Sequence, residues 1–529
     1  MATYAGEVSD TAQSPTPGLA DTPVGAPATP STPPLTETSP EAEPAPGTAG
    51  HDETVAGGLR TFMAQGWAGA GVATDPLARA AWTVPRRAAL SELFPGEALV
   101  VPTGEVAVRA NDTDYVFRPG SDFFWLTGCA EPGAVLVMTP TDGGHATTLF
   151  VPDRSDRSTA AFFTDRRYGE LWVGPRPGVA ETAATLGLPS RPLPELDDAL
   201  ARLAPATTRV LRGQDPAVDA AVLARPGDLR DAELAETLSR LRLVKDAYEV
   251  DRLREAVAAT VRGFEECVGE LATARTLPRG ERWLEGTFWR RARADGNDVG
   301  YTSIVAGGSH ATTLHWVRND GSIRDGDLLL LDMGVESDEL YTADVTRTLP
   351  VSGSWTPAQR RVYEAVLAAQ QAGIEAVRPG VDFLEPHRVA MRVLAEALAD
   401  WGVLPVSPED SLRDEEADDL DKAARARVGL HRRWTLHSTS HMLGIDVHDC
   451  AAARDEHYRH GPLLPGMVLT VEPGLYFQAD DELVPEELRG IGVRIEDDIL
   501  VTDDGHENLS AALPRDPDEV VAWMARLTG

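Results

Sequence analysis

Apolar and polar positions divide the chain into three stretches. Residues 1–76 show no sustained periodicity; they are rich in Pro, Thr, Ala and Gly, and the first fifty carry acidic residues but neither Lys nor Arg. Such a stretch cannot bury enough apolar surface to offset its ordering entropy, which predicts a disordered tail. From 77 to 236, short apolar runs such as Ala98 to Pro102, Ala134 to Met138 and Thr148 to Val151 alternate with polar, Pro/Gly-rich turns, the pattern of a mixed α/β domain. Leu234, Leu238 and Leu241, then Val250, Leu253, Val257, Val261 and Phe264, fall at helical spacing. They mark the start of a second domain, 237–529.

Within that domain, Thr356-Pro357-Ala358-Gln359 predicts a helix start: a Thr cap, proline in the first turn and Gln closing a capping box. The helix is expected to end near Pro379-Gly380. Residues 405–433, with the acidic run from Asp414 to Asp421, read as a solvated insertion without a catalytic part.

Composition narrows the function. At 529 residues and 56.8 kDa the chain exceeds one compact core. It has 42% apolar and 25% charged residues, ordinary for a globular protein. No run of 18 uncharged apolar residues occurs, and the first thirty residues have neither a basic start nor an apolar core, so a cytoplasmic location is expected. A net charge of −34 and a pI near 4.7 repel phosphate backbones and anionic headgroups, which argues against nucleic acid and membrane partners. Cys129, Cys267 and Cys450 have no zinc-ribbon or C-x-x-C spacing, so neither a disulfide framework nor a thiolate metal site is expected.

The candidate chemistry lies in a few acidic positions set in apolar surroundings. Leu328 to Leu331 read as a buried strand with Asp332 at its end, and Leu340 to Leu349 as a second strand with Asp344 in its middle. Aspartate is disfavoured in strands, and a buried carboxylate is costly unless paired or bound to metal. Pairing with Arg347 is the simple alternative for Asp344. Glu472 stands before a Pro-Gly turn in VLTVEPGLYF, and strand alternation puts Arg494, Glu496 and Asp498 on one face of IGVRIEDDILV. His437, His441 and His448 fall within twelve positions. A zincin helix is disfavoured, because Ser438 stands where H-E-x-x-H needs Glu. Four carboxylates with one histidine form an oxygen-rich set suited to hard divalent ions, and two such ions can activate a shared water for hydrolysis.

The ordered set Asp332, Asp344, His441, Glu472 and Glu496, in the words LLLLDMGVE, YTADVTRTLPV, STSHMLGIDVHD, LTVEPGLYF and GIGVRIEDDILVT, resembles the pita-bread metallopeptidases. YTSIVAGGSHATTLHW is similar to the aminopeptidase P branch, and RRAALSEL, YVFRPGSDFFWLTG and EPGAVLVM resemble its creatinase-like N-terminal domain. The resemblance implies an α/β (α+β) chain with that domain preceding a pita-bread catalytic domain. It implies Asp344 and Glu496 as bridging ligands of two divalent ions, Asp332 completing one, and His441 and Glu472 the other. A bridging water or hydroxide is then the nucleophile and Glu472 its proton acceptor. His315 and His448 are implied to hydrogen-bond substrate and oxyanion, His437 to line the proline subsite, and Arg494 to orient Asp332. Trp172 is similar to a tryptophan lent to a neighbouring subunit, which implies a homodimer or homotetramer.

The implied activity is Xaa-Pro aminopeptidase action on peptides with proline second, with Mn²⁺ as the expected ion and Co²⁺ or Zn²⁺ as alternatives. The competing readings are an Xaa-Pro dipeptidase (prolidase) and a non-catalytic pita-bread peptide-binding module.

Overall fold

The structure, a computed structural model, describes residues 56–68, 74–111, 113–155, 157, 159–224, 229–414 and 420–528. The expected disordered tail lies largely outside these residues, as does most of the acidic run near 415. Within the tail stretch, Gly57–Met63 form a short exposed helix, and Trp67 beyond it meets the Phe162 ring edge-on at 5.3 Å.

The amino-terminal half is built on a five-stranded mixed sheet in the order Ser190–Pro192, Gly144–Val151, Val135–Thr141, Ala98–Pro102, Thr208–Val210. Both faces of the interior strand Ala98–Pro102 are covered, which is why it reads as a continuous apolar run. Alternation sends Leu99 and Val101 into one core and Val100 into another. The core holding Leu99 also takes in Leu443, Val468 and Leu500 from the other half of the chain, so a single apolar cluster crosses the seam. The helix Arg230–Arg242 runs unbroken across position 236 and buries Leu234 and Leu238 in that cluster.

In the carboxy-terminal half, strand Leu328–Met333 lies between Ile304–Gly307 and Val345–Pro350, antiparallel to both, with Asp332 opposite Ile304 and Thr346. Strand Val468–Val471 pairs with Asp497–Val501, and Gly474–Tyr476 with Gly492–Arg494. Helices pack over the sheets in pairs, Ala247–Gly269 with Gly280–Asp295 and Pro357–Ala376 with Glu385–Asp400. Thr356 caps its helix through the Gln359 amide, and Asp246 forms the matching box with Glu249.

Two expected strands are shorter than the sequence pattern suggests. Leu340 adopts a left-handed φ of 65°, which breaks the run from Leu340 to Leu349; the strand begins at Val345, one residue after Asp344. The 491–501 segment is interrupted at Ile495 and Glu496, where the chain leaves Gly474–Tyr476 and joins Val468–Val471. Both carboxylates therefore stand at strand ends, freed from ladder geometry.

Candidate active site

Asp332, Asp344, His441, Glu472 and Glu496 converge on one buried locus. One ligand atom from each of Asp344, His441 and Glu496 lies within 4.8 Å of the other two. His441 Nε2 is 3.4 Å from Asp344 Oδ2 and 3.6 Å from Glu472 Oε1, while Nδ1 faces the Met442 carbonyl at 3.1 Å. That carbonyl fixes the proton on Nδ1 and leaves Nε2 aimed at the carboxylates, the arrangement a metal-binding imidazole needs. Asp332 joins through the Tyr301 hydroxyl, which donates to its Oδ1 at 2.6 Å and also contacts Asp344 Oδ1. The Arg494 guanidinium bonds Asp332 Oδ2 and donates to Thr346 Oγ1 at 3.1 Å. Thr346 in turn donates to Glu496 Oε2 at 2.6 Å.

Arg347, the simple partner for Asp344, turns away. Its guanidinium bonds Asp497 at 2.7 Å and the carbonyls of Glu496, Leu513 and Pro514.

The cluster holds more negative charge than its cations offset. Burial, with the charge of Asp344, pushes the Glu472 carboxyl up to about 7 despite His441. Burial and the charges of Asp344, Glu472 and Asp332 drive Glu496 well above the usual carboxylate range. Burial works against His441, but Asp344 and Glu472 outweigh it and raise the imidazole to about 9. Glu496 Oε1 and Asp498 Oδ1 are buried without a hydrogen-bond partner among the described residues. Orphaned acceptors in an acidic, low-dielectric locus are costly, and a divalent cation satisfies them. The donor set, oxygen-rich with one imidazole, fits hard divalent ions.

The substrate-side candidates surround this locus unevenly. His448 is exposed, with its ring 4.3 Å from that of His441. His437 Nε2 meets the Tyr476 hydroxyl at 2.8 Å and Nδ1 stands 3.6 Å from Glu472. Burial and Arg494 bring the His437 imidazole down to about 3, so it is neutral. His315 is exposed, and its charge is felt by both His437 and His448. Trp172 is not brought to the cluster: it is 51% exposed on the short helix Glu170–Val173, with its indole donating to the Phe163 carbonyl and Arg166 over its ring.

Several contributors are absent from the sequence-based set. Tyr301 and Thr346 link the ligands, Tyr476 joins Arg494 to His437, and Asp498 accepts the Asp344 amide at 3.1 Å. Thr346 had a signal, two residues past Asp344 and so on the same side of an extended chain; Tyr301 had only its place in a quoted motif.

Fold and site together define a metal-dependent hydrolase. The profile of metallopeptidase family M24 matches residues 251–503, and that of the aminopeptidase P N-terminal domain matches 84–211. Xaa-Pro aminopeptidase 1 of Streptomyces coelicolor is 53% identical over 472 residues, covering 89% of this chain and 92% of its own. Xaa-Pro aminopeptidase 2 of the same organism is 52% identical over 482 residues, covering 90% and 98%. Among solved structures, aminopeptidase P from E. coli with the inhibitor Pro-Leu superposes with a TM-score of 0.72 at 31% identity, over 86% of this chain and 99% of its own. The chain belongs to the Xaa-Pro aminopeptidases of family M24, which implies divalent metal ions at the cluster. No helix among the described residues is long and apolar enough to cross a membrane.

Proposed function

We propose that this protein hydrolyses the bond between the N-terminal residue and a penultimate proline of oligopeptides, with two divalent ions, Mn²⁺ in the cell, held by Asp332, Asp344, His441, Glu472 and Glu496. The observation that carries this reading is the convergence of all five side chains from separate strands and loops, joined through Tyr301, Thr346 and Arg494. Bound ions supply Lewis acidity, lowering the pKa of a water to near neutral and polarising the scissile carbonyl.

The side chains do the rest. Glu472 takes a proton at a carboxylate oxygen, the role its place beside His441 in the ligand cluster suits. His448, beside His441, and His315 donate to the substrate carbonyl as negative charge develops there. Neutral His437, held by Tyr476, forms one wall for the proline ring. Arg494 orients Asp332. An amide to proline has no N–H, so recognition rests on the shape offered to the ring. Trp172, standing out from the amino-terminal half, serves a neighbouring copy in a homodimer or homotetramer. Three free, buried cysteines fit a reducing compartment and support a cytoplasmic protein.

The test is hydrolysis of Arg-Pro-Pro beside the dipeptide Gly-Pro, after chelation and separate return of Mn²⁺, Co²⁺ and Zn²⁺ with metal counted per chain. Cleavage of the tripeptide restored at two ions per chain is expected. Turnover of the dipeptide alone overturns the substrate assignment.

A further inference from the structure

The segment carrying His315 is built around a carboxylate that takes no part in the reaction described above. Glu281 lies in the first turn of helix Gly280–Asp295, and its side chain is wholly buried. An ionised carboxylate is an acceptor only, with about four lone-pair sites. Four N–H groups fill them, two on each oxygen. The Gly307 amide at 2.9 Å and His310 Nδ1 at 2.7 Å meet Oε1; the Trp316 indole at 2.9 Å and the Gly321 amide at 2.6 Å meet Oε2. Because the carboxylate cannot donate, the His310 proton sits on Nδ1.

These donors come from both ends and the middle of residues 307–321, so one side chain gathers the whole segment. The His310 and Trp316 rings stack at 3.8 Å. The packing leaves no room at the return: a Cβ on Gly321 would lie 2.6 Å from His310 Cε1 and 2.8 Å from Glu281 Cδ. On the far side, Gln478 bonds Thr312 through both its amide atoms, at 2.7 and 3.0 Å, tying the segment to the loop after strand Gly474–Tyr476. His315 immediately precedes Trp316; its side chain is exposed and near enough to His437 and His448 to act on both imidazoles electrostatically.

We infer that Glu281 is a positioning residue for the reaction: by holding Trp316 and the backbone on either side, it fixes where His315 stands beside His448 and the ligand cluster. The inference rests on the role proposed for His315. An amide cannot replace this carboxylate, since its NH₂ would face two N–H groups and leave them unpaired in a buried place.

Steady-state hydrolysis of Arg-Pro-Pro by E281Q, H315A and the double variant tests it, with metal per chain and thermal unfolding measured alongside. E281Q is expected to lower kcat about tenfold or more, as misplacement of a substrate-side group does, with metal content unchanged. In the H315A background the same change is expected to cost less than about twofold, because coupled residues are non-additive. W316F, which removes one donor and keeps an aromatic ring against His310, is expected to lower kcat about threefold and to lose that effect with H315A; this pair decides the matter where E281Q folds poorly. Losses that multiply independently, or a loss of metal that accounts for the fall in kcat, overturn the inference while leaving His315 in place. Unchanged kcat in H315A instead removes the role of His315, and the inference with it.

Discussion

Glu496 and Asp497 are neighbours in sequence and are buried alike, yet the chain treats them in opposite ways. Asp497 is met by Arg347 at 2.7 Å, Arg515 at 3.3 Å, the Ser510 hydroxyl at 2.6 Å and the Gln370 amide at 2.8 Å. Burial alone would raise it, but the two guanidinium groups hold its carboxyl below the usual range. Glu496 receives one hydroxyl from Thr346, and burial with the charges of Asp344, Glu472 and Asp332 outweighs Arg494 and drives it the other way. Burial does not separate a structural acid from a functional one; what does is whether the protein itself supplies the counter-charge. Where it does, the acid holds the fold together. Where it withholds it, the acid keeps a place for a cation.

Substitutions on the two sides of this contrast should fail differently. Asp344→Ala removes a carboxylate shared by the whole under-compensated cluster, so metal per chain should fall toward zero and activity by a factor on the order of 10³ or more. Metal analysis with peptide assay checks this, and activity retained at full metal loss would break the comparison outright. Asp497→Ala leaves Arg347 and Arg515 without their buried partner and should cost roughly 3–5 kcal/mol of stability by denaturant titration. The folded fraction should still bind metal and turn over. His448→Ala touches the cluster without joining it: kcat should drop about a hundredfold, the scale of a lost oxyanion donor, with metal content unchanged. Loss of metal would instead make His448 a ligand.

The smallest effect is a pH dependence of opposite sign in the two clusters. In the chelated protein Glu472 is raised from 4.5 to about 7 and His441 from 6.5 to about 9. Groups raised on folding contribute in full below their unfolded values and lose that contribution as pH rises through the folded ones. Thermal unfolding of the metal-free protein should therefore move to lower temperature between pH 5 and 9, and added Mn²⁺ should flatten the trend by offsetting the carboxylates. Asp497 is lowered, so its contribution is present above its unfolded value of 3.8 and is lost only as pH falls through the folded one. Asp497→Ala should remove the acid limb and leave the alkaline one.

The four acidic ligands proposed were legible because each breaks a local rule, an acid in a strand or an acid before a turn, whereas the choice of His441 among three nearby histidines came from the family resemblance. The helix start at Thr356 and the interior strand at Ala98 were legible for the complementary reason, that local preference and final structure agree there. The strand break at Leu340 was not, since a left-handed leucine carries no sequence signal and is imposed by its surroundings. Tyr301 and Glu281 were equally silent. A tyrosine near an apolar run and a glutamate in a first helical turn are ordinary, and only the fold shows that one joins two ligands and the other gathers a loop. The exposure of Trp172 also had to be seen, because indole rings pack inside as readily as out.

The apolar cluster that crosses the seam has a mechanical consequence. Leu99 and Phe123 from one half share a core with Leu443, Val468 and Leu500 from the other, and prising the halves apart would wet that surface before any backbone unfolded. The front half is thus a rigid wall, unsuited to swinging as a flap, and calorimetry should record both halves melting in one cooperative step.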